Sequence, residues 1–464
     1  MRIIDEYKMS KHERPKYYIE TYGCQMNLSD SEIVSSILAD SGYEAAGSAE
    51  AADVILLNTC SVRDNAEKKI FEKLTHLKQY KKKNSGLVIG ILGCMAERLR
   101  NNLLGAKDLV NLVVGPDEYR KIPELIGSAF GGSNGIAVEL SRVETYDDIK
   151  PLRTEGISAW VSIMRGCNNF CSYCVVPYTR GRERSRPAGS VIEEIKGLWD
   201  SGFREITFLG QNVNSYNDTE SGVDFPDLLA MAARALPGMR FRFTTSHPKD
   251  LSDKLIETIA AHDNICRHIH LAMQSGSNRI LRLMRRNYTI EHFIGRVNKI
   301  RELIPDASLS TDIIAGFPGE TIEDHQDTLR ALVEIKFDGA YMFRYSPREG
   351  TQAFKMDDDV PEDEKIRRLN QIIELQNSIS KDLNENEIGN MHEVLVEGPS
   401  KKDRCRWRGR SDTNKVVIFD NHNGDIAVGD TVKVRINGFT SATLFGCIKS
   451  CKVTDTEAVI QESV

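Results

Sequence analysis

The sequence predicts an α/β multidomain protein in three parts: an N-terminal open parallel α/β sheet, a central partial or full (β/α) barrel, and a small antiparallel β-barrel at the C-terminus. Three observations lead there. Short apolar runs alternate with amphipathic helical stretches along most of the chain, and a Gly-rich polar segment interrupts that alternation once. The last part then changes to short strands separated by Gly, Asn and Asp.

In the first part, residues 15–130, "YYIETYGC" is an apolar, aromatic strand, and "NLSDSEIVSSILADSG" has helical periodicity between a Ser/Asp start and a Gly stop. "DVILLNTC" and "LVIGILGC" read as buried parallel strands, followed by the helices "RDNAEKKIFEKLTHLKQYKK" and "AERLRNNLLG". Residues 131–156 read as a linker. In the central part, 157–385, the strand candidates are "EITFLG", "RFRFTTS", "HIHLAM", "SLSTDIIAG" and "GAYMFRY", with helices such as "IEEIKGLWDSG" between them. Consecutive βα units of this kind place chemistry at the strand C-terminal ends. "HEVLVEG", "KVVIFD", "DTVKVRINGFT" and "ATLFGCIKSCKV" make the last part, 386–452, a barrel of OB-like size.

At 464 residues, with 40% hydrophobic and 28% charged residues, the chain is of ordinary globular composition. Its opening, "MRIIDEYKMSKHERPKYYIE", lacks a signal-peptide core, and no stretch approaches the roughly 18 apolar residues of a membrane span. A cytoplasmic protein without a membrane partner is expected, most simply a monomer. In a reducing compartment its ten cysteines are metal ligands or plain buried residues rather than a disulfide framework. The net charge of −6 conceals two basic runs: Arg180, Arg182, Arg184 and Arg186, and then Lys401, Lys402, Arg404, Arg406, Arg408 and Arg410. Each reads either as a solvated face or as a local nucleic-acid patch.

"RGCNNFCSYCVVPYTRGRERSRP" carries Cys167, Cys171 and Cys174 with no fourth ligand nearby. Structural zinc wants four closed ligands. Three thiolates on a four-iron cluster leave one iron open to a small molecule. This C-x3-C-x2-C pattern at a strand end, with Tyr173 before its last cysteine, resembles the radical S-adenosylmethionine (SAM) superfamily. The resemblance implies that SAM binds the open iron and is cleaved to a 5′-deoxyadenosyl radical. It also implies cofactor contacts at the strand ends that follow: Gly210, Gln211 and Asn212 in "FLGQNVNSY", Gln274 and Ser275 in "HLAMQSGS", and Asp312 and Gly316 in "STDIIAGFPGE". His268 and His270, on one strand face, read as packing residues, and Cys266 has no role.

Cys24, Cys60 and Cys94 each end a predicted strand of the first part. In an open parallel sheet such ends share one edge, so the three can converge on a second three-thiolate cluster. "YGCQMNLSDSE", "NTCSVRDNAE", "LGCMAE", "GQNVNSY", "TTSHP" and "GFPGET", in this order around the triad, resemble the methylthiotransferases over about residues 16–452. The final barrel looks like their TRAM domain. Ala272 and Met273 depart from the family's more usual Pro-Val.

The resemblance implies two [4Fe–4S] clusters, two SAM molecules per turnover and an unidentified electron donor. One SAM methylates a sulfur on the auxiliary cluster; the second supplies the radical for inserting the methylthio group. "YGCQMN" and the triad segment look like the branch acting at C2 of N6-isopentenyladenosine beside the tRNA anticodon. Branches acting on threonylcarbamoyladenosine or on a ribosomal-protein aspartate stay open, as does an iron–sulfur RNA-binding protein without catalysis. "KKDRCRWRGR" interleaves Trp407 with Arg406, Arg408 and Arg410, side chains suited to stacking on and pairing with the tRNA anticodon stem-loop.

Overall fold

The computed structural model describes residues 14–61, 64–104, 106, 109–153, 156–421 and 425–448. Thr154 and Glu155 of the expected linker, Cys451 and the end of the expected last part at 449–452 lie outside them, as do residues 1–13.

The first sheet is parallel, in the order β2-β1-β3-β4-β5-β6. Its strands are β1 (Lys16–Tyr22), β2 (Glu44–Ala45), β3 (Val54–Thr59), β4 (Val88–Leu92), β5 (Leu112–Val114) and β6 (Gly135–Ala137). The helices α1 (Gln25–Asp40), α2 (Asp64–Lys83), α3 (Cys94–Leu99) and α4 (Ile122–Phe130) cover both faces. β3 and β4 are buried at every residue, which is why "VILLNT" and "VIGIL" are apolar without alternation.

A second series of βα units follows. Its strands and helices in chain order are β7 (Ser158–Ser162), a short hairpin of β8 (Met164–Arg165) and β9 (Arg184–Ser185) enclosing α5 (Val176–Thr179), α6 (Ala188–Asp200) and β10 (Glu205–Leu209). The hairpin β11 (Asn217–Asp218) and β12 (Val223–Asp224) leads to α7 (Phe225–Ala235), β13 (Arg240–Thr244), α8 (Asp253–Ala261), β14 (His268–His270), α9 (Asn278–Leu283) and α10 (Ile290–Leu303). β15 (Ser308–Ala315), α11 (Ile322–Ile335), β16 (Gly339–Arg344) and α12 (Glu362–Glu385) complete the series.

β7, β10 and β13 pair in parallel, as do β14, β15 and β16, and parallel bridges such as Ser246–Leu271 join the two groups. No ladder joins β16 to β7 among the described residues, so the barrel is partial. Helix starts follow local chemistry. Thr321 Oγ1 accepts from Asp324 N at 3.3 Å while Asp324 Oδ2 accepts from Thr321 N at 2.9 Å, a reciprocal cap that opens α11.

The last part is a closed five-stranded barrel, β17-β18-β19-β21-β20. Its strands are β17 (Met391–Pro399), β18 (Arg406–Ser411), β19 (Val416–Asp420), β20 (Thr431–Phe439) and β21 (Thr443–Ile448). It is antiparallel except at one point: closure pairs β19 with β21 in parallel. Arg240 and Arg242, on β13, dock the barrel by donating to the carbonyls of Glu393, Arg410, Ser411 and Asp412 at 2.5–2.9 Å.

The first basic run departs most from expectation. Arg180, Arg184 and Arg186 are 3%, 7% and 5% exposed, so no nucleic-acid patch forms there. Arg180 Nη2 bonds Asp30 Oδ2 at 2.6 Å and Arg184 Nη2 bonds Asp117 Oδ1 at 2.8 Å. Arg165 reaches both acids, at 3.0 and 3.6 Å. Arg186 pairs with Glu194 at 2.6 Å. The chain bends at residues 180–182, with Gly181 at φ +71°, so the run is not one extended face: Arg180, Arg184 and Arg186 turn inward towards acids that the sequence places far away. Arg182, turned outward, lies 4.4 Å over the Phe170 ring.

Asp30→Asn leaves two buried guanidiniums short of a counter-charge, an expected loss of about 3–5 kcal/mol. It should lower the denaturation midpoint clearly. Arg330→Ala, which removes an exposed pair with Asp327, should leave that midpoint in place.

Candidate functional site

β1, β3 and β4 are sheet neighbours, and Cys24, Cys60 and Cys94 follow their C-terminal ends. Two glycines bring these loops close. A Cβ on Gly23 would lie 2.6 Å from Cys60 Cβ, and one on Gly93, at φ +88°, would lie 2.4 Å from Asn58 Oδ1. Beneath them Asn27 Nδ2 donates to Asn58 Oδ1 at 3.1 Å, and Asn58 Nδ2 donates back to Asn27 O at 2.8 Å. Asn27 Oδ1 also accepts from the Cys24 thiol at 3.3 Å. A hydrogen bond from Cys60, helped by Arg180 and opposed by burial, brings the Cys24 thiol down to about 6. Burial raises the Cys94 thiol, against the pull of Arg180.

The other three cysteines sit on the loop between β8 and α5. Gly166, at φ +80°, turns the chain into Cys167, and a Cβ there would fall 2.0 Å from the Arg182 carbonyl. Cys167 N donates to Gly181 O at 3.1 Å and Cys174 N to Cys171 O at 3.0 Å, which closes the loop on itself. Burial lifts the Cys167 thiol to about 11 and that of Cys174 higher, the mutual repulsion of the three sulfurs adding to it. Arg286, buried, donates from Nη1 to Cys171 Sγ at 3.3 Å and from Nη2 to Ala272 O at 2.9 Å. Tyr173 packs edge-to-face on Phe317 at 6.4 Å.

Among the described residues no three His, Cys, Asp or Glu side chains gather closely enough for a single metal ion. A four-iron cluster spreads its thiolates around a cube, and an all-thiol donor set suits it. The rim of the partial barrel also fits a polar ligand. Gln211 Oε1, both amide atoms of Asn214, Ser246 Oγ and His247 Nε2 are buried there without a hydrogen-bond partner. Buried polar atoms are ordinarily paired, so five together on one rim mark a place for a ligand. His247 Nδ1 accepts from Lys249 N at 3.2 Å, which puts the ring proton on Nε2, facing the rim. Burial, with the positive charges of Arg286 and Lys249, pulls the ring down to about 2, so it stays neutral.

Several expected cofactor contacts turn out to be engaged within the protein. Asn212 is consumed: Oδ1 accepts from His247 N at 3.1 Å and Nδ2 donates to Asp250 at 2.7 Å. Its amide thereby fixes the chain at His247. Ser275 is turned towards α11, 3.3 Å from Thr328 Oγ1. At Gly316, φ +69°, a Cβ would meet Lys365 Cγ at 2.3 Å, and its N–H donates to Glu320 Oε2 at 3.1 Å. Gly210 gives Met164 room, its absent Cβ lying 2.5 Å from Met164 Cγ. Gln274 sits at φ +69° with its N–H on Asp312 O at 2.7 Å. Asp312 Oδ2 lies 3.3 Å from His270 Nε2, and Ser310 Oγ joins both His268 and His270 at 2.9 and 3.0 Å.

On β18, Arg406, Arg408 and Arg410 share one face while Trp407 turns to the barrel core. The expected interleaved stacking platform therefore does not form: in a strand, neighbours point to opposite sides. Arg406 pairs with Asp420 at 3.2 Å, and Arg408 and Arg410 share Glu397 at 3.5 and 3.1 Å. Ser246, His247, Arg286 and the Asn27–Asn58 lock had no role in the sequence reading. "TTSHP" stood out as a motif, whereas nothing in "RRNYT" distinguishes Arg286 from its neighbours.

Gly166→Ala should prevent the first cysteine loop from closing. With Cys24, Cys60 and Cys94 replaced by Ala, iron bound per chain after anaerobic reconstitution should fall to near zero; iron at the parental level would show that the loop accepts a Cβ.

Residues 16–115 match the uncharacterized protein family UPF0004, 161–332 the Radical SAM superfamily and 385–449 the TRAM domain. A tRNA-2-methylthio-N(6)-dimethylallyladenosine synthase of Parabacteroides distasonis is 51% identical over 448 residues, 96% of this chain and 97% of that protein. One of the same name from Bacteroides thetaiotaomicron is 52% identical over 440 residues, 94% and 96% of the two chains. Among solved structures, the radical S-adenosylmethionine methyltransferase TsrM of Kitasatospora setae superposes with a TM-score of 0.54 at 14% identity, covering 71% of this chain and 73% of that one, a likeness of fold. With near full-length identity above one half and all three domains in place, the chain belongs to the tRNA-2-methylthio-N(6)-dimethylallyladenosine synthase family of radical SAM enzymes.

Proposed function

We propose that this protein methylthiolates C2 of N6-isopentenyladenosine at position 37 of tRNA, beside the anticodon. The observation that carries the reading is the near full-length identity to synthases of that name, in a chain whose six cysteines stand in two groups of three at strand ends. When bound, two [4Fe–4S] clusters and two SAM molecules supply the electron, the hydrogen-abstracting radical and the methylated sulfur that this reaction needs.

The protein's own residues bind, orient and shield. Cys167, Cys171 and Cys174 hold one cluster, and Arg286 restrains Cys171 by its N–H···S bond. Cys24, Cys60 and Cys94 hold the other. Gln211, Asn214, Ser246 and the Nε2–H of neutral His247 offer hydrogen bonds to SAM. The apolar packing of Tyr173, Ile280, Met284 and Phe317 behind the first cysteine loop keeps water from its inner side. The outward face of β18 presents Arg406 and Arg408 to the RNA backbone, and Trp407 serves the barrel core. The TRAM match and the tRNA in the relatives' name support a tRNA substrate.

A single anaerobic turnover with reconstituted protein, reductant and SAM, offered isopentenylated tRNA and the small-subunit ribosomal protein together, should add the methylthio mass to the nucleoside alone. Gain on the ribosomal protein, or on neither substrate with 5′-deoxyadenosine still released, would overturn the substrate. Cys171→Ala should abolish 5′-deoxyadenosine formation, whereas Cys60→Ala should spare it and stop methylthiolation. Replacing Arg406 and Arg408 together by Ala should weaken tRNA binding and reduce the slope of log affinity against log salt by about one to two. An unchanged slope would turn that face to solvent.

A further inference from the structure

The buried charges between the first sheet and the partial barrel do not cancel. Three guanidiniums, Arg165, Arg180 and Arg184, meet two carboxylates, Asp30 and Asp117, which leaves one positive charge in excess. An uncompensated charge this deeply buried is costly and calls for a counter-charge nearby. Two of the three keep buried nitrogens without a hydrogen-bond partner, Arg165 at Nε and Nη1 and Arg180 at Nη1, and of these Arg180 follows the helix that packs on α3. Its Nη2 is held by Asp30 at 2.6 Å, while its Nη1 is buried with no partner. Tyr119 donates to the same Asp30 oxygen at 3.1 Å, which fixes the carboxylate and through it the guanidinium.

The surroundings of Arg180 belong to the second cysteine group. α3, which begins at Cys94, packs on α5, and α5 ends at the residue before Arg180. Its side chain runs back to Asp30 on α1, so Arg180 is held at the side of the seam from which α1 and α3 start. Asp30, its anchor, lies on α1, the helix that Cys24 precedes. Arg180 thus belongs by sequence to the hairpin that carries the first cysteine loop, six residues after Cys174, and by position to the other cysteine group.

We infer that Arg180 is the charge partner of the iron–sulfur group held by Cys24, Cys60 and Cys94, a positioning residue supplied across the seam by the neighbouring domain. The inference rests on the proposed second cluster. A four-iron cluster on three thiolates is anionic, and it gains a further negative charge on one-electron reduction. A fixed guanidinium beside it stabilises the reduced form more than the oxidised one. It also makes the pocket incomplete until the two domains are docked.

The test uses the full chain with Cys167, Cys171 and Cys174 replaced by Ala, so that any cluster sits at the other three cysteines. Iron and sulfide per chain and the midpoint potential are measured for this parent and for Arg180→Gln, Arg180→Lys and Arg184→Gln in the same background. Loading should persist in the parent, in Arg180→Lys and in Arg184→Gln. Arg180→Gln should lower the reduced-to-oxidised ratio at fixed applied potential at least tenfold, about 59 mV for a one-electron couple. Arg180→Lys should recover most of that shift. Arg184→Gln, which removes a guanidinium paired with Asp117 instead, should leave the potential near that of the parent.

A loaded Arg180→Gln variant with the parental potential overturns the inference. If Arg180→Gln loses the cluster while Arg180→Lys and Arg184→Gln keep it, the same role is supported. Equal loss in Arg180→Gln and Arg184→Gln would reduce Arg180 to a structural part of the seam and overturn it. A parent that binds no iron fails one step earlier, by removing the second cluster itself.

Discussion

The arrangement of this protein depends on an ion array closed away from water. Asp30 and Asp117 come from the first sheet's domain, and Arg165, Arg180 and Arg184 from the β8–β9 hairpin that encloses the first cysteine triad. Burial alone would raise the Asp30 carboxyl, yet Arg180 and Arg165 outweigh it and hold the group ionised. Buried ion pairs add little net stability against apolar packing, but they punish misplacement, because a shifted register leaves charges unpaired. The array therefore acts mainly as a register device. Arg153 extends it, bridging Glu32 of α1 and Glu194 of α6 at 2.8 and 2.9 Å. Two cysteine groups on separate domains can act on one substrate only if their relative position is fixed, and charge pairing supplies that constraint.

Within each domain the cysteines owe their positions to strand ends, and their surroundings to residues with no redox chemistry of their own. Asn27, in the first turn of α1, and Asn58, near the end of β3, tie those elements together next to Cys24 and Cys60 in the chain. Gly23, Gly93 and Gly166 stand where a side chain would collide with a neighbouring loop. On the rim of the partial barrel, Asn212 gives up both ends of its amide to hold His247 and Asp250. That leaves His247 as a neutral donor directed at the rim. The division is between side chains spent on geometry and side chains left with an unmade bond, and the latter are where a ligand gains most.

The C-terminal barrel is bound to the rest largely through backbone carbonyls in and beside β17 and β18, which accept from Arg240 and Arg242. Lys415 also reaches Asp338 and Asn384, at 2.9 and 2.8 Å. Asn384 near the end of α12 adds bonds to Thr440 and Ser441 at 2.9 and 3.2 Å. Docking through main chain leaves the outer side chains of β18 available, although Arg410 lies near the seam and Arg406 and Arg408 each hold an acid. Contact with an RNA backbone would exchange those carboxylates for phosphates, a trade that salt weakens.

The sequence by itself determined the three-part architecture and singled out both cysteine triads, because apolar period and ligand spacing are local properties. It also located the rim, since βα order dictates which strand ends share an edge. It misread the run from Arg180 to Arg186 as surface charge, and it treated Trp407 as if it shared a face with the arginines beside it. Asn212, Ser275 and Gly316 were legible as turn residues, but not as residues already bonded or packed within the protein. Only the tertiary structure decided these points, and the physical reason is the same in each. Whether a charge or a polar group is buried, and what satisfies it, depends on partners such as Asp30, Asp117, Asp250 and Lys365, which are distant in the chain and close only once it has folded.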